Sequence, residues 1–343
     1  MVRTLALLAI LVATPVHAQM RHAIQTAEAR KVEVTITYRI ECNRFSAERW
    51  MVYVPRPPEL PGQVRVKAST TPTSKLTAEK SPLARPMFLF DQKATPATTK
   101  RFDMDLKLEA TLLSRKLVPL AANAPAPRVT PLKESERKYY TAPSSLIDFE
   151  NSLFRDWLAE HKLKRQPREH ELAFATRVLE RIREQYEYGF DSKQDQRASL
   201  ACGRTKADCG GMAFVFVGAL RASGIPARPL LGRIAKPRRD GSKPTDLDYD
   251  HPHVRVEFFA PDLGWVPVDP SAVQGNRSRP VAEFLGDDAG DLIVLHVDVD
   301  LMLPFRDRTE RAPFLQIGPY YHVYGTGPFD ATFGETGWKL TVK

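Results

Sequence analysis

The stretch Ala207-Asp208-Cys209-Gly210-Gly211-Met212-Ala213-Phe214-Val215-Phe216-Val217-Gly218-Ala219-Leu220 decides the fold. Its residues are apolar almost all round, so it predicts a buried helix beginning near Cys209 and running to about Ala222. Gly224 suits the position just past a helix end, and Pro226 prevents continuation. Working outward, Ala227–Ile234, His253–Phe259 and Trp265–Val268 read as strands, with Pro261-Asp262-Leu263-Gly264 as the turn between the last two. Upstream, Leu172, Ala175, Leu179, Ile182 and Tyr186 fall on one helical face. Helices followed by strands predict an α+β core over residues 132–282.

Before the core the periodicity changes. Val32, Val34, Ile36, Tyr38 and Ile40 alternate with polar positions, and so do Phe102, Met104, Leu106, Leu108, Ala110 and Leu112. Alternation gives a strand one buried and one wet face, and Trp50–Pro55 adds a third strand. Residues 30–118 are therefore expected to form an all-β sandwich domain. The Pro- and Ala-rich run 119–131 reads as a linker. Residues 283–343 are expected to be a C-terminal extension packing on the core.

The chain has 343 residues, 43% of them hydrophobic, with 28 prolines and a formal net charge of +9. This suits packed domains and excludes a disordered chain. Residues 1–18 read as a signal peptide: Arg3 is the charged start, Leu5–Val12 the apolar segment, and Val16-His17-Ala18 the cleavage site before Gln19. That segment is too short to span a membrane, and no later run approaches membrane length. The expected location is secreted or periplasmic. Basic runs at Lys162-Leu163-Lys164-Arg165 and Lys236-Pro237-Arg238-Arg239 read as solvated loops or as attraction to an anionic envelope surface. They come with no nucleic-acid motif.

Three cysteines, Cys42, Cys202 and Cys209, leave at least one thiol free unless pairing is intermolecular. A Cys42–Cys202 disulfide frees Cys209, whereas Cys202–Cys209 pairing would lock it. A thiol at a helix N-terminus is favoured as thiolate by the macrodipole and the unpaired N–H groups. Downstream stand His253, in His253-Val254-Arg255-Val256-Glu257, and Asp269, in Gly264-Trp265-Val266-Pro267-Val268-Asp269-Pro270. Alternation places His253, Arg255 and Glu257 on one face of their strand, and the imidazole is expected to point toward the helix N-terminus. Asp269 then reaches the far ring nitrogen. A thiol, an imidazole and a carboxylate are the parts of a cysteine nucleophile system. Each alone has a plainer explanation: a buried Cys is usually an inert small hydrophobe, and Asp-Pro is often a turn. A metal site built from His251, His253 and Cys209 lacks the carboxylate-plus-histidine helix motif, and no CxxC pair supports zinc. No cofactor is expected.

Three blocks carry a family resemblance: Asp208-Cys209-Gly210-Gly211 through Ala227-Arg228, the segment beginning at His253, and Gly264 through Pro270. They resemble the core of transglutaminase-like proteins. With the helix before Tyr188, the resemblance covers roughly residues 140–275. The β unit with Trp50–Pro55 is similar to the β-domain that precedes this core in exported bacterial members. The resemblance implies a papain-like core, with Cys209 as nucleophile, His253 as general base and acid, and Asp269 as its orienter. It also implies a peptide or protein substrate, with peptidase or amidase hydrolysis ahead of crosslinking. One position departs from the pattern. Two residues after the histidine the family often has an aromatic, and here it is Arg255, a cation expected to alter substrate choice or to place an acidic group. The competing expectation is an inactive envelope binding or scaffolding protein that keeps the fold.

Overall fold

The computed structural model describes residues 21–121, 123–125, 127–191, 193–235, 252–306 and 308–343. The signal-peptide segment, the basic run at 236–239 and His251 lie outside the described residues. Six strands come first: β1 (His22–Glu41), β2 (Ser46–Pro55), β3 (Gln63–Thr71), β4 (Lys75–Ala78), β5 (Pro86–Lys93) and β6 (Arg101–Pro119). Helices α1 (Glu134–Thr141), α2 (Ser152–Glu160) and α3 (Glu171–Gln185) follow, then β7 (Glu187–Tyr188), the single turn α4 (Ala198–Ala201) and β8 (Lys206–Ala207). Next come α5 (Cys209–Ala222), β9 (Ala227–Ile234), β10 (Pro252–Ala260), β11 (Gly264–Val268) and the turn α6 (Ala272–Gly275). The chain closes with β12 (Leu292–Val297), β13 (Leu301–Phe305), β14 (Arg308–Ala312), β15 (Tyr320–Thr326) and β16 (Thr332–Val342).

The alternating strands pair so that their apolar faces coincide. β1 and β6 are antiparallel with Ile36 opposite Leu106 and Tyr38 opposite Met104. They belong to a sheet of order β16-β1-β6-β3, which faces a second sheet of order β15-β2-β5-β4. Val34, Ile36, Trp50, Val52, Phe90 and Leu106 from the two sheets form one core.

The C-terminal segment, expected to pack on the α+β core, divides instead. β12 joins the core sheet beside β9. The β13–β14 hairpin covers the outer face of the second sandwich sheet, with Leu301, Leu303 and Phe305 against Met51, Tyr53 and Met87. β15 pairs with β2, and β16 with β1. The sandwich thus takes strands from both ends of the chain. The physical reason is edge satisfaction: without β16 and β15, β1 and β2 would present rows of unpaired N–H and C=O groups.

The core sheet has the order β11-β10-β9-β12. α5 packs on one face, joining Val254, Val256, Phe258, Val266 and Val268 in a shared core with α2 and α3. On the other side, Leu230, Ile234, Leu292 and Val294 meet Tyr140 of α1, while Ile293 and Leu295 enter the sandwich core. β9 is therefore buried along its whole length, as expected of a strand covered on both faces. Among the described residues no helix is long and apolar enough to cross a membrane.

Gly232 sits in the middle of β9, opposite both His253 of β10 and Val294 of β12. A Cβ there would stand 2.1 Å from the Ile293 carbonyl oxygen, so β12 closes over β9 only because the side chain is missing. Gly232→Ala is expected to destabilise the protein by about 1–3 kcal/mol. Urea unfolding checks this, and an unchanged midpoint would contradict it.

Candidate active site

Cys209 is the first residue of α5, and Asp208 caps the helix by accepting the Gly211 N–H at 2.8 Å. The backbone of Asp208 is extended and the helix starts directly after it, which fixes where the next side chain emerges. The three thiols are all free and buried. Cys42 lies in the sandwich core and Cys202 in the core around α5. Burial pushes the Cys202 thiol up to about 11, so it behaves as an inert hydrophobe. Cys209 instead lines a cavity.

His253 is the second residue of β10, and its Nε2 lies 2.6 Å from Asp269 Oδ2. The Cys209 sulfur is also near enough to the imidazole to help raise its pKa. Since Nε2 faces the carboxylate, Nδ1 is the nitrogen left for the sulfur. The backbone around it is pinned: Gln316 Nε2 donates to the carbonyls of His253 (2.7 Å) and Gly232 (2.9 Å). The other oxygen of Asp269 accepts from Ser271 N, Ser271 Oγ and Ala272 N at 3.0, 2.7 and 3.2 Å. Every face of the carboxylate is engaged, so it has one orientation.

The β10–β11 register pairs Val256 with Val268. Continuing it puts Asp269 opposite Arg255, with His253 on the diagonal of the same face, a distance a long side chain spans. α5 packs against the opposite face, that of Val254, Val256 and Phe258. The thiol and the imidazole therefore meet at the first residues of their two elements, where the sheet ends.

Burial opposes the charged form of His253, but the Asp269 carboxylate, its hydrogen bond and the Cys209 sulfur outweigh it and raise the imidazole to about 10. Burial likewise opposes ionisation of Asp269, and the charge of His253, the hydrogen bond to it, Arg255 and Ser271 hold the carboxyl well below its usual range.

Arg255 is an organiser of acidic groups. Its Nε lies 3.5 Å from Asp269 Oδ2, its Nη1 2.9 Å from Asp288 Oδ1, and its Nη2 2.6 Å from Asp291 Oδ1. The guanidinium is surrounded by carboxylates. The chain of charges continues inward. Arg115, from β6 of the sandwich, reaches Asp288 at 2.8 Å and hydrogen-bonds Glu257. Glu257 also receives Arg228 at 2.6 Å, and Arg228 stacks over Trp265 at 3.8 Å. Arg115, Asp288, Asp291 and Gln316 were not legible as site residues, because all four lie outside the three motif blocks. Arg115 also falls on the polar parity of β6, where a charge looks like an ordinary wet-face residue.

Two cavities flank the pair. One, of about 340 Å³, is lined by Cys209 but not His253. The other, of about 740 Å³, is lined by His253 but not Cys209, with Glu187, Ser271, Gln274 and Arg277 around it. Among the described residues no group of three or more His, Cys, Asp or Glu side chains is placed to hold a metal ion.

Residues 161–270 match the family model of the transglutaminase-like superfamily. The protein therefore contains a transglutaminase-like core, preceded by a β-rich region. The structure is similar to one described as "a Putative Cysteine Protease from Cytophaga hutchinsonii", with a TM-score of 0.56 at 13% identity, covering 93% of this chain and 92% of that one. At that identity the likeness is one of fold. The periplasmic domain of TgpA from Pseudomonas aeruginosa aligns over 72% of this chain and 90% of its own, at 14% identity and a TM-score of 0.35. None of the curated proteins compared with the chain matches it.

His253 should remain charged through neutral pH and titrate near about 10 in an NMR titration. Its folded pKa lies above the ordinary 6.5, so its stabilising contribution is complete below pH 6.5 and lost as pH rises through about 10. Asp269→Asn removes the main opposite charge and should lower that midpoint; an unmoved midpoint would contradict the coupling. Arg115→Ala leaves Glu257 and Asp288 short of a cation in the interior, at an expected cost of about 3–5 kcal/mol, measured by chemical unfolding.

Proposed function

We propose that the protein is an exported cysteine-dependent acyl-transfer enzyme. It acts on peptide or glutamine-type amides and hydrolyses rather than crosslinks. The observation that carries this reading is the connected set Cys209–His253–Asp269, open to a cavity at the sulfur and to a second at the imidazole.

The Cys209 thiolate attacks the amide carbonyl while His253 holds the proton as imidazolium. The oxyanion that forms is stabilised by the backbone N–H of Cys209 at the start of α5. As the C–N bond breaks, His253 gives its proton to the departing amine, leaving a thioester on Cys209. A water entering beside His253 loses a proton to the imidazole and attacks the thioester. The acid departs, and thiolate and imidazolium are restored. Asp269 keeps the ring oriented and stabilises its cationic form through both steps. Glu187, Ser271, Gln274 and Arg277 give the cavity beside His253 a polar lining that admits water, whereas amine transfer needs water kept out.

Cys209→Ala should abolish turnover while leaving the unfolding midpoint nearly unchanged, and His253→Ala should cost a comparable factor because the pair acts as a unit. Retained activity in Cys209→Ala would overturn the proposal and favour the scaffolding reading. A labelled amine offered with a glutamine peptide separates the routes: ammonia or acid release without incorporation supports hydrolysis. Export predicts a mature chain beginning at Gln19, checked by N-terminal sequencing of secreted or periplasmic material.

A further inference from the structure

The cavity at Cys209 and the cavity at His253 differ in chemistry, and that difference bears on the substrate. The thioester carbon must sit on the sulfur, so the acyl portion occupies the space that Cys209 lines. The leaving amine must receive a proton from His253, so it departs through the space that His253 lines. The walls of the acyl-side cavity are Phe214 of α5, Leu231 of β9, Val254 of β10, and Phe314 and Ile317 from the segment between β14 and β15, with Phe190 beside them.

Asp208 and Gln316 at that cavity are engaged within the protein, while Gln194 adds a carboxamide to its lining. Asp208 Oδ1 accepts the Gly211 N–H at 2.8 Å, and Asp208 Oδ2 receives Gln196 Nε2 at 3.3 Å. Gln316 Nε2 is committed to the carbonyls of Gly232 and His253. A polar side chain placed against Asp208 or Gln316 would lose water and meet groups already bonded within the protein. An apolar one would exchange water for aromatic and aliphatic walls. A volume of about 340 Å³ is more than the slender methylene arm of a glutamine fills.

We propose that this cavity is the acyl-side subsite and that it selects peptide acyl groups carrying a bulky aromatic or branched aliphatic side chain, in preference to a glutamine carboxamide arm. The inference rests on Cys209 being the acylated residue, and it narrows the substrate class from amides in general to peptide bonds following a large apolar residue. It also gives the C-terminal segment a function, since Phe314 and Ile317 supply part of the wall.

The test uses the full chain and p-nitrophenyl esters of N-acetyl glycine, glutamine, leucine and phenylalanine. In each acylation the Sγ–C bond forms, the C–O bond breaks and p-nitrophenolate leaves with the electron pair. Its absorbance gives the second-order rate, and intact mass with Cys209→Ala as control places the acyl group. A single methylene in an apolar pocket is worth roughly 10–200-fold, so the leucine and phenylalanine esters are expected to react at least about 10-fold faster than those of glycine and glutamine. In Ile317→Asp and Phe314→Ala that ratio should fall toward one. Equal rates in the wild-type protein, a preference for glutamine, or an undiminished ratio in both folded variants would overturn the subsite while leaving the enzyme reading intact. Acylation of Cys209 by none of the four esters would overturn that reading, and the subsite with it.

Discussion

Glu257 has no exposure to solvent, and two guanidiniums meet it, Arg228 from the core sheet and Arg115 from the sandwich. A carboxylate in that position is tolerable only while both cations are present. Burial would raise its pKa, and the charges of Arg228 and Arg115 instead lower it. The constraint is geometric as well as electrostatic, because Arg115 can serve Glu257 and Asp288 together only if the end of β6 comes within side-chain reach of both. The same logic operates at Arg233 of β9, whose guanidinium is 2.6 Å from Glu335 of β16 with both side chains buried. The sandwich and the core are thus cross-tied by charges that neither could keep buried alone. The tie runs on through Asp288 to Arg255, which brings its positive charge to 3.5 Å from Asp269.

The parts that were legible in the sequence are those governed by local periodicity. α5 begins and ends where its apolar run, its cap and Gly224 place it, and β9 has the bounds its residues predict. His253 and Asp269 were legible because they sit on the two arms of one hairpin. Arg255 showed in the sequence only as a departure from a family pattern, since its three carboxylate partners come from residues 269, 288 and 291. The C-terminal strands are the clearest case of what periodicity does not contain. β16 is a good strand by itself, but its partner is β1, some three hundred residues away, and no local pattern names a partner at that distance. The cysteine pairing was open for the same reason: Cys42 and Cys202 belong to separate cores.

The site joins two demands that pull against each other. A hydrogen-bonded imidazolium with a buried carboxylate partner is best kept dry, while the reaction proposed here needs entry for an acyl group and for water. The fold separates the two by direction. Asp269 and its ring of donors lie on the ionic side of the hairpin, while Cys209 arrives on a helix that packs against the apolar side. The cavities open where the two sides meet, at the beginnings of α5 and β10.

The pairing of β1 with β16 has a consequence for how the molecule is made. Val32 lies opposite Val342, and Glu41 opposite Thr332. During synthesis, one long edge of the first sheet stays without its neighbour until Thr332–Val342 has been added. Contacts of such sequence separation close late, because loop-closure entropy must be met before they form. An exposed strand edge in that interval is a template for pairing with other chains. The sandwich that precedes the core in the sequence is therefore completed only after the core has been made.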